Sequence, residues 1–240
     1  MERRSALLAT ASTQVVEFDI DNYLTIVALE DGLTASLSVN DVEYCIDGNG
    51  NWSTLTAGTT SPAINKNQYI SFRGNLTPTS SAGVGPFTIS ISCDLTGNCN
   101  SLLFGDDAKT NLSLSGKSYA FYRLFYNCST IKNVSPNFLP ATTLGYMCYD
   151  SMFQDCTSLT TAPQLPATTL ADYCYRYMFK NCSKLNYIKA MFITTPSSSY
   201  TNNWVSGVAS SGTFVKNKNA TWNVTGVNGI PSGWTVINNS

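Results

Sequence analysis

The sequence predicts a mixed α+β chain: an N-terminal antiparallel β domain, a short solenoid of stacked repeats and a C-terminal β cap. Three observations lead there. Apolar and polar residues alternate in short runs ahead of residue 98, a 26-residue repeat follows, and glycine-flanked strand-like segments close the chain. The boundaries this suggests are an arm over 1–13, a β-sandwich-like domain over 14–98, repeats over 99–195 and a cap over 196–240.

The arm carries Arg3 and Arg4 and then a brief run of Leu, Ala and Thr. That run is too short and too Ala/Thr-rich for the roughly 7–15 apolar residues of a signal-peptide core, so the N-terminus is expected to be retained as an anchor. Strand-like runs follow at 23–29, 42–46 and 69–72. Ala35, Leu37 and Val39 alternate with Ser36 and Ser38, and Phe87, Ile89, Ile91, Cys93 and Leu95 alternate with polar neighbours. Residues 77–85, rich in Ser, Thr and Gly, read as an exposed loop.

The repeat is the strongest signal. Leu139-Pro140-Ala141-Thr142-Thr143-Leu144 recurs as Leu165-Pro166-Ala167-Thr168-Thr169-Leu170. Each is followed by a Cys-Tyr-x-x-Met-Phe-x-x-Cys-x-x-Leu string, Cys148 to Leu159 and then Cys174 to Leu185. A degenerate copy precedes them, with Phe121, Leu124, Phe125, Cys128 and Ile131 in matching places. Leu170, Cys174 and Met178, flanked by Tyr175 and Phe179, predict one apolar face of a short helix. Leu159, Ala162 and Leu165, then Leu185 and Ile188, predict inward-facing extended segments, and Pro140, Pro163 and Pro166 forbid a continuing helix. One unit cannot cover its own apolar face, so copies must stack.

The Met-Phe-x-x-Cys-x-x-Leu core and the Leu-Pro-Ala-Thr-Thr-Leu connector resemble the BspA-like leucine-rich repeats, a cysteine-containing class found in surface proteins of gut bacteria and in their phages. The likeness covers about residues 119–190, and the segments 212–217 and 229–236 are similar to the cap that follows such repeats. It implies a leucine-rich-repeat solenoid used for adhesion or recognition, and it brings no catalytic residues.

Composition narrows function further. The 240 residues include no histidine, which removes His-based nucleophilic catalysis, His-ligated zinc and a histidine pH switch. Net charge is -1 with only 12% charged residues, so the chain lacks the basic field that nucleic acid requires. No apolar run approaches the roughly 20 residues that span a bilayer, so no membrane insertion is expected. Eight cysteines sit mostly in register, Cys148 with Cys174 and Cys156 with Cys182, which predicts buried reduced thiols rather than cross-links. Cys45, Cys93 and Cys99 lie outside that ladder, and one pair among them is left open to bridging.

No catalytic, metal or cofactor residue emerges. Asp47-Gly48-Asn49-Gly50-Asn51 has calcium-loop oxygens, but Gly58 stands where an EF-hand needs its bidentate Glu, so a hairpin turn is expected. Asp106-Asp107 reads as a solvated turn. Tyr149 and Tyr175, repeating in register, read as packing residues, with Tyr122, Tyr126, Tyr146, Tyr173 and Tyr177 nearby. Aromatic rings beside Ser, Thr and Asn offer a glycan what it needs, a flat apolar face and short polar groups. On the strand side Lys132, Thr160, Thr161, Asn186 and Tyr187 are expected in a row across the units, and these are the candidate binding residues.

Together these point to a non-enzymatic virion structural or appendage protein of a phage of gut bacteria. It would attach to a host cell-surface glycan or protein, and its arm would contact other virion proteins. A homo-trimer would suit a fibre. A bacterial cell-surface adhesin with an unrecognised leader is the alternative, and a carbohydrate-active enzyme with dispersed carboxylates is a weaker one.

Overall fold

The computed structural model describes residues 18–78, 83 and 85–239; the arm over 1–13 lies outside the described residues. The structure is mostly β, 26% strand against 8% helix, in sheets of mixed orientation. The first strands are β1 (Leu24–Ala28), β2 (Ala35–Leu37), β3 (Val42–Ile46), β4 (Ser53–Leu55), β5 (Tyr69–Arg73), β6 (Phe87–Ile89) and β7 (Cys93–Gly97). They form an antiparallel sheet in the order β4-β3-β5-β1-β7, while β2 and β6 pair separately.

Register follows the alternation of side chains. Leu24, Ile26 and Ala28 on β1 enter the core, and Thr25 on the other face is also wholly buried. Its hydroxyl pairs with that of Ser71 at 2.8 Å, which satisfies both groups away from water. The alternating run over 87–95 is not one strand. Phe87 and Ile89 pair with β2, and Cys93 and Leu95 pair with β1. Ser90 and Ser92 make the corner, bonding the Thr34 carbonyl and the Leu29 N–H. At the end of β7 a Cβ on Gly97 would stand 1.9 Å from the Tyr23 carbonyl oxygen, and φ is +77°, so only glycine fits.

β7 also pairs in parallel with β8 (Ile131–Val134), the strand of the first repeat copy. Bridges Asn133–Thr161 and Thr161–Tyr187 carry the ladder through the second copy into β9 (Tyr187–Ala190). Parallel strands β10 (Thr213–Asn217) and β11 (Thr235–Asn239) complete it. The N-terminal sheet and the repeat thus share one line of strands, and one continuous apolar core runs from Leu24 to Trp234.

The other side of each unit corrects the sequence reading. The segment expected to be helical is a ribbon of consecutive tight turns. Two four-residue helical turns, α1 (Ser101–Phe104) and α2 (Ser198–Thr201), are the α-helix among the described residues, and neither lies in the expected place. The backbone reverses hand at every fourth residue: Tyr119, Arg123 and Asn127, then Met147, Ser151 and Asp155, then Tyr173, Tyr177 and Asn181, all with φ between 52° and 64°. No right-handed helix passes through such positions.

Hydrogen bonding explains why the ribbon holds. In the first unit the N–H groups of Tyr122, Leu124, Tyr126 and Cys128 donate three residues back. Those of Tyr119, Phe121, Arg123, Phe125 and Asn127 donate instead to the next unit, to the carbonyls of Tyr146, Cys148, Asp150, Met152 and Gln154. The second unit repeats the pattern onto the third, and the third onto residues 199–206. Half the amides therefore close turns and half join units, and the left-handed residues are held by the bonds between units. The expected α+β class with a leucine-rich-repeat solenoid is replaced by a mostly β chain whose repeats stack turn on turn and strand on strand.

Candidate binding surface

Turn ribbons place side chains with a period of four: two in, two out. In the third unit Cys174 and Tyr175 point in, Arg176 and Tyr177 are half-buried, Met178 and Phe179 point in, and Lys180 and Asn181 lie towards solvent. The inward residues form two columns of stacked rings. Phe121, Tyr149 and Tyr175 stack at 5.7 and 6.0 Å, and Phe87, Phe125, Phe153 and Phe179 at 5.7, 5.5 and 5.9 Å, with interplanar angles of 15° or less. Trp204 closes both columns, 6.2 Å from Tyr175 and 6.1 Å from Phe179, and its indole N–H donates to the Gly229 carbonyl.

The cysteines belong to the same interior. Cys128, Cys156 and Cys182 each donate the thiol to a carbonyl one unit back, Phe87, Phe125 and Phe153, at 3.0–3.1 Å. Burial pushes the Cys128 and Cys148 thiols up to about 12, and those of Cys93, Cys99, Cys156, Cys174 and Cys182 also rise. All eight cysteines, including Cys45, Cys93 and Cys99, are buried and unbridged. The seven raised thiols are poor nucleophiles and poor metal ligands. Tyr149 and Tyr175 are packing residues, and their hydroxyl oxygens are buried without a hydrogen-bond partner among the described residues.

The strand-side candidates do come together. Thr160 donates its N–H to the Lys132 carbonyl at 3.0 Å, and Asn186 donates to the Thr160 carbonyl at 3.0 Å, so the three stand abreast. Thr161 bridges Asn133 and Tyr187 in the adjacent row. Much of their polarity is spent internally. Thr160 Oγ1 contacts Asn133 Oδ1 at 2.7 Å, Asn133 donates to Asp94 Oδ1 at 2.9 Å, and Lys132 Nζ reaches Ser158 Oγ at 3.4 Å. Asn186, exposed, and Tyr187, half-buried, make no side-chain hydrogen bond among the described residues.

A second surface lies on the turn side. Tyr119, Tyr146 and Tyr173 run edge to face along the units at 5.5 and 6.0 Å. The Arg123 guanidinium sits 5.1 Å from the rings of both Tyr122 and Tyr126, and Arg176 sits 5.1 Å from Tyr173 and 5.6 Å from Tyr177. Lys180 lies 5.0 Å from the Tyr177 ring. Arg176 is neutralised by Asp150, which is wholly buried, at 2.6 Å. Burial pushes the Asp150 carboxyl above its ordinary range while Arg176 and Ser151 pull it back. Sequence reasoning marked Tyr122, Tyr126, Tyr146, Tyr173 and Tyr177 as neighbours but missed Tyr119, Arg123, Arg176 and Lys180. Their signal was the outward half of the four-residue period.

The two acidic turns are engaged by the protein itself. Asp47 accepts from the Tyr69 N–H at 2.9 Å and from Gln68 Nε2 at 2.6 Å, beside the turn that joins β3 to β4. Asp106 lies in an exposed turn, as expected, but is engaged there. It pairs with Arg73 at 2.8 Å and accepts the Tyr23 hydroxyl at 2.8 Å. Partial burial raises its carboxyl, but Tyr23 and Arg73 outweigh this and leave it below the ordinary value. Arg73 also bonds Glu43 and lies 4.1 Å over the Trp52 ring. Among the described residues no group of three or more Cys, Asp or Glu is placed to hold a metal ion, and no helix is long and apolar enough to cross a membrane. No protein-family model, curated protein or solved structure matches this chain.

Proposed function

We propose that this chain is a non-enzymatic attachment module, a phage virion appendage component that engages a glycan or protein on the surface of a gut bacterium. One observation carries the reading. The repeat fills its interior with its own rings and thiols and spends its ribbon amides within turns and between units, so partners are met by the outward side chains. The virion setting rests on the sequence, where a repeat resembling those of gut-bacterial surface proteins and their phages carries cysteines that are buried and unbridged. A phage protein leaves its host by lysis, so thiols made in a reducing cytosol need never meet an export pathway.

The test is binding of labelled protein to gut bacterial cells and to a glycan array, beside mass spectrometry of the native N-terminus. Binding without turnover, by a chain intact from Met1 in purified particles, supports the proposal. Polysaccharide turnover overturns the non-enzymatic reading. A chain cleaved after Ala9 or Ala11 and found in a cell envelope overturns the virion setting in favour of a bacterial adhesin.

A further inference from the structure

We propose that the tyrosine ridge of the turn side, rather than the strand row, is the glycan site, and that its ligand is an acidic polysaccharide laid along the stack. The inference rests on the attachment reading above and names its surface and ligand class. Six tyrosines, Tyr119, Tyr122, Tyr126, Tyr146, Tyr173 and Tyr177, sit on successive turns of three units, and none belongs to the buried columns. Tyr126 and Tyr146 are the most open, at 36% and 40% exposure. Rings that pack edge to face at 5.5–6.0 Å per unit present apolar patches at a regular step. An extended sugar chain offers matching C–H faces at a comparable step.

Charge selects among glycans. Asp150 cancels Arg176, while Asp155, half-buried in the second unit, keeps its negative charge and accepts from Asn181 Nδ2 at 2.7 Å and Gln154 Nε2 at 3.2 Å. Arg123, in the first unit, and Lys180, in the third, have no ion pair among the described residues, and each is braced against tyrosine rings. Asp155 and Asp172, the latter exposed just before Tyr173, are the counterweights, so the cations act as local contacts rather than as a net positive field. Two spaced, pre-positioned cations suit carboxylates distributed along a polymer. They are too few for the dense phosphates of a nucleic acid. The strand row fits less well because Lys132, Thr160 and Asn133 already bond within it or beside it.

The experiment is affinity gel electrophoresis of the full chain in gels containing polygalacturonate, alginate or dextran. The native protein is expected to be retarded by the two acidic polymers, less so at high salt, and to run freely in dextran. Tyr126→Ala with Tyr146→Ala should weaken retention about tenfold. Both positions have ordinary backbone, so the truncation adds no strain, and thermal unfolding checks that the variant is folded. Tyr146→Phe should retain binding, and Arg123→Gln with Lys180→Gln should remove the preference for acidic gels. Unchanged retention of the Ala variant, or its loss in Thr160→Ala/Asn186→Ala instead, overturns the ridge while the attachment reading stands. Equal retardation in dextran overturns the acidic ligand. A native chain retained by no glycan and no cell overturns both proposals.

Discussion

Removing a hydroxyl should stabilise this protein. The Tyr149 and Tyr175 rings are 1% and 0% exposed, and neither hydroxyl oxygen has a partner among the described residues. Burial pushes both phenols well above their ordinary pKa, so each stays neutral and simply forgoes its water. An unpaired buried hydroxyl costs about 1–3 kcal/mol. Deleting it leaves a gap of one oxygen atom, worth only about 0.2–0.3 kcal/mol at ~24 cal/mol per Å³. Tyr149→Phe and Tyr175→Phe should therefore each gain about 1–2 kcal/mol. The first repeat unit supplies the precedent, because Phe121 occupies the same place and stacks on Tyr149 at 5.7 Å and 10°. For a chain of this length the gain should raise Tm by about 2–4 °C per kcal/mol. Urea unfolding with an unchanged m-value would give the same sign. The two rings touch, so the double variant need not be additive. A loss of about 1 kcal/mol or more in either single variant would refute the reasoning, since it would mean that the hydroxyl is bonded inside the core.

Other perturbations follow from the same geometry. Arg176→Met strands the wholly buried Asp150 carboxylate and should cost about 3–5 kcal/mol in chemical denaturation, whereas a surface pair would cost under about 1. In native protein at neutral pH none of the eight cysteines should react with a thiol reagent within minutes, and all eight should react in denaturant. Fast titration of any repeat cysteine would contradict the burial described. Asp106→Asn should destabilise at pH 7, because the folded-state carboxyl is held below its unfolded value. That difference should begin to shrink as pH falls below about 4, where the unfolded carboxyl protonates, and should vanish only as pH passes the lower folded-state value. A deficit that did not shrink at all between pH 7 and pH 3 would argue for a role other than the Arg73 pairing.

Much of the architecture could be read from the chain, and the places where reading failed have physical causes. Identical residues 26 apart, Cys148 with Cys174 and Phe153 with Phe179, revealed the stacking and the interior, since a recurring residue type meets its own copy in the next unit. Strand-forming runs between turn residues placed β1, β3 and β5, and alternation placed β2. The helix was a misreading of period. Leu170, Cys174 and Met178 suit a spacing of 3.6 as well as 4 over so short a span, and the two diverge by less than half a residue per turn. The discriminating signs were an in-in-out-out order that does not drift across ten residues, and Asn127, Asp155 and Asn181 at the same phase, residues that accept the left-handed conformation most easily. The corner at Ser90–Ser92 was hidden because either sheet satisfies the same alternation. The Tyr23–Asp106–Arg73 cluster was hidden because its partners are distant in sequence, and no local pattern carries such a pairing.

The most direct test of the stacked turns is solution NMR of the backbone through residues 119–127, 147–155 and 173–181. Chemical shifts and three-bond couplings should report a left-handed residue at every fourth position. Amide exchange should be slow at Phe121, Phe125, Tyr149 and Phe153, whose N–H groups bond between units. Uninterrupted helical shifts through any of these segments would contradict the turn ribbon, and with it the outward placement of the tyrosine ridge.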